Sequence, residues 1–228
     1  MSAVTQIWQG LDWSVLTGIL MGILPSLLCI TLHELSHGLV AYKLGDDTAK
    51  RAGRLTLNPI RHIDPMGLLM MVLFRFGWAK PVPVNMYNFK NPKRGMAITA
   101  LAGPLSNVVI AVVFLFLYGL LFRPLYVDGN SALGRTVLEM VMRTAYLSLA
   151  LAIFNIIPIS PLDGSKVLFS FLSDEGYYKL MRYERYGMIL LMVLVATGAT
   201  SGVLSTVTGW AYDKLFFIAE FAYDLVRH

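Results

Sequence analysis

The sequence predicts an all-α polytopic membrane protein with about four transmembrane helices, a re-entrant or interfacial segment and short cytoplasmic strands. Three observations carry this. The chain of 228 residues is 56% hydrophobic and only 14% charged, against roughly a quarter charged in a soluble domain. Its mean hydropathy is +0.62. Its apolar residues gather into runs of about 20, the length that crosses a bilayer as a helix. Such a chain has too little polar surface to cover soluble domains, and the same composition excludes collagen-like, disordered and disulfide-scaffold classes.

The first run covers residues 15–42, where the only charge-capable side chains are His33, Glu34 and His37. Residues 66–78 lie between Pro65 and Pro81 and contain Arg75. They are too few to span, so a re-entrant or interfacial segment is expected. Residues 96–122 and 186–208 form uncharged runs, and residues 136–157 carry Glu139 and Arg143 near their start. The tail, 210–228, mixes aromatic, aliphatic and charged residues, the pattern of an interfacial amphipathic helix. Arg54-Leu55-Thr56-Leu57 alternates in polarity, and Pro81-Val82-Pro83-Val84-Asn85 is extended in type. Both are expected to form short strands. Residues 1–228 read as a single membrane-embedded domain with no internal repeat.

The net charge of +5 does not point to nucleic acid, because the basic residues fall between the apolar runs. Residues 43–94 and 159–185 are rich in Lys and Arg. With four spans both segments face one side, and the positive-inside rule makes that side the cytoplasm. A prokaryotic plasma membrane is the expected location. No cleavable signal is visible. The single cysteine, Cys29, sits in an apolar run and reads as a small buried hydrophobe.

Ionisable residues inside a span are costly and mark function by default. His33-Glu34-Leu35-Ser36-His37 reads H-E-x-x-H. Helical residues four apart share a face, so both imidazoles can reach one metal ion. Glu34 falls beside that metal, where a carboxylate can take a proton from water. Two histidines and a carboxylate form a familiar catalytic zinc set with an open fourth position. Cys29, His62 and His228 are available as further ligands, but the best third candidate is Asp163. It follows Pro158 and Pro161, which break the third long span, and Gly164 permits a tight turn after it. Glu34 at the catalytic offset favours hydrolysis over an intramembrane ion transporter, and the whole motif disfavours an inactive protein that merely captures membrane segments.

H-E-L-S-H in the first span, Gly103-Pro104-Leu105-Ser106-Asn107 in the second and Asn155-x-x-Pro158-x-x-Pro161-Leu162-Asp163-Gly164 after the third resemble the site-2 protease family of intramembrane zinc metalloproteases. Residues 54–67 also look like the segment that follows H-E-x-x-H in short members. The resemblance implies one zinc ion held by His33, His37 and Asp163, with Glu34 as general base. It implies that Asn155 stands by the metal, either contacting the peptide carbonyl or oxyanion or satisfying backbone near Pro158. It places Asn107 as a substrate contact or as a bond between helices, and it leaves His62 a loop role. Expected partners are the bilayer and a membrane-anchored protein or peptide substrate. Expected, too, is a short form without PDZ or nucleotide-sensing modules.

Overall fold

The computed structural model describes residues 13–74 and 77–227. Arg75 and His228 therefore lie outside the described residues. The long helices are α1 (Trp13–Lys43), α4 (Pro92–Phe122) and α5 (Ala132–Ile156). Between α1 and α4 lie α2 (Thr48–Arg51), α3 (Pro65–Phe74) and two short 3-10 turns. After α5 come α6 (Asp163–Phe169), α7 (Asp174–Arg182), α8 (Glu184–Ala196), α9 (Ser201–Leu215) and α10 (Phe217–Val226).

Local chemistry sets the helix ends. Asn91 caps α4 by accepting from Arg94 N–H at 3.1 Å, with Pro92 at the first helical position, where its missing N–H costs nothing. Ser131 caps α5 by accepting from Gly134 N–H at 3.0 Å.

α4 is the centre of the bundle and packs against α1, α5, α6 and α10. Its buried face runs Gly103, Asn107, Ala111 and Leu115, four residues apart, while Leu105, Val109 and Val113 on another face are exposed. Small and polar groups face the neighbouring helices and large apolar ones face outward, as in a bundle solvated by lipid. Among the described residues, three helical stretches are long and apolar enough to cross a membrane, Leu20–Lys43, Pro92–Asp128 and Ala132–Ile156.

The fourth expected span is divided. Tyr186–Ala196 and Ser201–Val226 meet at a bend of 83°. Gly198, at φ +71°, ends α8: Ala199 N–H donates to Leu194 O at 3.1 Å and Gly198 N–H to Val195 O at 3.0 Å. This pair of bonds closes a helix C-terminus around a left-handed residue, which favours glycine. The tail is helical and packs on α4, with Ala219 and Ala222 buried.

The expected cytoplasmic strands are absent among the described residues. Residues 55–57 are bends, residues 81–85 have no regular secondary structure, and the one pairing there is an isolated antiparallel bridge between Ile63 and Ala79. The reason is chemical. Pro81 and Pro83 carry no N–H for a ladder. Val82 N–H donates to the Glu34 carboxylate instead, and the Arg54 guanidinium takes Lys80 O. In the 66–78 segment, α3 has 10 residues, about 15 Å of helix, half of what a bilayer core requires.

Candidate metal centre

His33 and His37 stand one turn apart on α1, and both are buried. Asp163, the first residue of α6, comes to them from the far end of α5. His33 Nε2 lies 3.1 Å and His37 Nε2 3.2 Å from Asp163 Oδ2. The two imidazole nitrogens are 3.0 Å apart. Ligands about 2.0 Å from a tetrahedral zinc would be roughly 3.3 Å from one another, so the three atoms fit a shared ion.

Two further observations support the fit. His37 Nδ1 is 2.7 Å from Thr99 O. A carbonyl only accepts, so Nδ1 carries the proton and Nε2 presents its lone pair, the tautomer a metal needs. Asp163 Oδ2 is buried and makes no well-aligned hydrogen bond despite both nearby nitrogens.

The loop that delivers Asp163 is tightly built. A Cβ on Gly164 would overlap Ile156 O and stand 2.7 Å from Ile157 O. Gly164 is helical, not a turn residue, so its role is to let the start of α6 lie on the end of α5.

Beside the three ligand-type atoms is a cavity of about 330 Å³. His33, Glu34, Asn107 and Asn155 line it together with apolar residues such as Leu151 and Met188. Asn155 is half-buried and donates to Leu151 O at 3.0 Å. The Asn107 side-chain amide is 3.1 Å from His33 Nδ1. Its backbone carbonyl accepts from Ser148 Oγ at 2.8 Å, tying α4 to α5.

The other ligand types lie elsewhere. Cys29 is fully buried, with its Sγ 3.8 Å from Thr144 O. His62 is buried in a 3-10 turn and bonds Thr56 O. Glu139 pairs with Arg143 on an exposed face at 2.6 Å. Sequence reasoning missed Thr99, which acts through its backbone, and Val82, whose N–H reaches Glu34. It also passed over Lys166 and Glu184, which line the cavity.

Comparison with known proteins agrees with this chemistry. A sequence model of peptidase family M50 matches residues 121–199. A Bacillus subtilis protein named as a zinc metalloprotease, YwhC, is 38% identical over 182 residues, 80% of this chain and 83% of its own. The chain belongs to peptidase family M50, the site-2 protease family. Rip2 of Mycolicibacterium smegmatis, also named as a zinc metalloprotease, is 28% identical over 194 residues, 82% of this chain and 71% of its own. A Methanocaldococcus jannaschii relative with the same kind of name is 34% identical over 137 residues, 60% of this chain and 62% of its own. No solved structure matches. The M50 match at residues 121–199 takes in Asn155 and Asp163 but not the His33–His37 motif, so the two halves of the centre rest on separate observations. This M50 member is an integral membrane metalloprotease.

Proposed function

We propose that the chain is an intramembrane zinc endopeptidase that hydrolyses peptide bonds in or near membrane-spanning segments of anchored substrates. The observation that carries the reading is the convergence of His33, His37 and Asp163, whose ligand atoms all lie within 4.8 Å of one another, with Glu34 and His33 lining one cavity. In this reading residues 1–228 act as a single membrane-embedded protease domain, with the centre toward the cytoplasmic side. That is the side the Lys- and Arg-rich segments favour.

His33, His37 and Asp163 would hold the zinc ion, which would supply Lewis acidity toward a peptide carbonyl and water. Glu34 takes the water proton as the water oxygen bonds to the carbonyl carbon. As the C–N bond breaks, Glu34 returns that proton to the leaving amine. Asn155 lines the cavity where its amide can meet the carbonyl oxygen. A helical substrate hides its carbonyls, so it unwinds before it enters. The apolar cavity wall receives the flanking side chains.

The test compares the intact chain with Glu34→Gln and Asp163→Ala, using a membrane-embedded peptide substrate and zinc measured per chain. Glu34→Gln should keep zinc and lose cleavage, and Asp163→Ala should lose zinc. Equal cleavage by the wild type and Glu34→Gln would overturn the reading.

A further inference from the structure

Residues 81–83 read Pro-Val-Pro. Proline has no N–H, so Val82 carries the single backbone donor of the three. That donor goes to one acceptor: Val82 N–H donates to Glu34 Oε2 at 2.8 Å, across 48 residues of sequence.

The segment is held at both ends. On one side Lys80 N–H donates to His62 O at 2.9 Å, and Arg54 Nη2 donates to Lys80 O at 2.6 Å. On the other, the fully buried Asp46 accepts from Asn85 N–H and from Asn88 Nδ2, each at 2.7 Å. Val82 is itself buried and lies over Gly38. A Cβ on Gly38 would stand 3.1 Å from Val82 Cγ1 and 2.6 Å from Leu55 Cδ2. Gly38 is one turn beyond Glu34 on the same face of α1. The missing side chain there lets the segment lie close enough for its N–H to reach the carboxylate.

We propose that residues 81–83 form a strap that fixes the Glu34 carboxylate, with Val82 as a positioning residue and Gly38 as the position that admits it. The proposal rests on Glu34 being the general base. The terminal torsion of a glutamate is broad, whereas proton transfer needs the carboxylate within hydrogen-bond reach of its water. Holding Oε2 stops that rotation and leaves the other oxygen for the proton. The arrangement also gives residues 81–83 no spare N–H with which to pair a substrate strand.

The test measures cleavage kinetics and zinc content for the wild type, Glu34→Gln, Val82→Ala, Val82→Pro and Gly38→Ala. Val82→Pro removes the N–H. It should lower kcat on the order of tenfold to a hundredfold, the range expected for one hydrogen bond to a charged group. KM and zinc should stay close to wild type. Val82→Ala keeps the N–H and should lose far less, and Gly38→Ala should resemble Val82→Pro. Equal losses in the alanine and proline variants, or a loss confined to KM, would overturn the strap. Cleavage by Glu34→Gln at the wild-type rate would instead overturn the general-base reading beneath it. Amide exchange gives a check independent of how well Val82→Pro folds. The Val82 amide should exchange at least tenfold faster in Glu34→Ala than in the wild type, and equal exchange would dismiss the strap.

Discussion

Gly103 of α4 lies directly against the imidazole of His37. A Cβ at Gly103 would overlap His37 Nε2 and stand 2.5 Å from His33 Cε1. α4 thus sets the space in which both imidazoles turn. Gly103→Ala should push the rings apart and lower zinc affinity by about tenfold or more, as other disturbances around metal ligands do. Chelator competition measures the affinity, and circular dichroism checks that the helices persist. Unchanged affinity would remove Gly103 from the account.

Asn107 is fully buried, and its side-chain amide meets His33 Nδ1. For His33 to present Nε2 as a ligand, Nδ1 must hold the proton and needs an acceptor. A half-turn of the amide supplies its oxygen. Asn107→Leu should therefore weaken zinc binding by roughly 10- to 100-fold, while Asn107→Asp, which keeps an acceptor, should weaken it less. If Asn107 serves substrate alone, both variants will bind zinc normally and differ only in cleavage.

Asp46 gives a pH dependence outside the spans. Burial opposes its charge, but bonds from Thr48, Asn85 and Asn88 hold its carboxyl below the usual range. A carboxyl whose folded value lies below its unfolded value of about 3.9 contributes stability that is fully present above that pH. The contribution is lost as pH falls through the folded value. Thermal unfolding in detergent should therefore show the wild type losing stability below about pH 4. Asp46→Asn should start lower at pH 7, by about 1–3 kcal/mol, and lose less on acidification. Parallel pH profiles would contradict this.

Gly119 joins the tail to the bundle. A Cβ there would overlap Ala219 O and lie 2.8 Å from Ala222 Cβ. Gly119→Ala should cost about 1–3 kcal/mol through overpacking and lower the thermal midpoint without releasing zinc. Loss of zinc together with stability would mean that the tail supports the metal centre and not only the outer bundle.

The long helices were legible because hydropathy alone writes them. Residues 15–42, 96–122 and 136–157 read as spans, and α1, α4 and α5 occupy them. The fourth run was legible as apolar but not as broken, since Gly198 has no apolar signature and acts through its φ of +71°. The expected strands failed for the opposite reason. Alternation in residues 54–57 and the extended type of residues 81–85 say nothing about partners, and here the backbone groups of residues 80 and 82 are taken by Arg54, His62 and Glu34.

By itself, the sequence determined the lipid-solvated helices and the sharing of one helical face by His33 and His37, because both follow from composition and from a period of 3.6 residues. Only the tertiary structure decided which distant groups meet that face. Asp163 arrives because Gly164 lets α6 lie on the end of α5. The Thr99 carbonyl sets the His37 tautomer, and the Pro-Val-Pro segment reaches Glu34 because Gly38 leaves room for it. These contacts run through backbone atoms and missing side chains, which every sequence has in some form, so nothing local distinguishes them until the chain is folded.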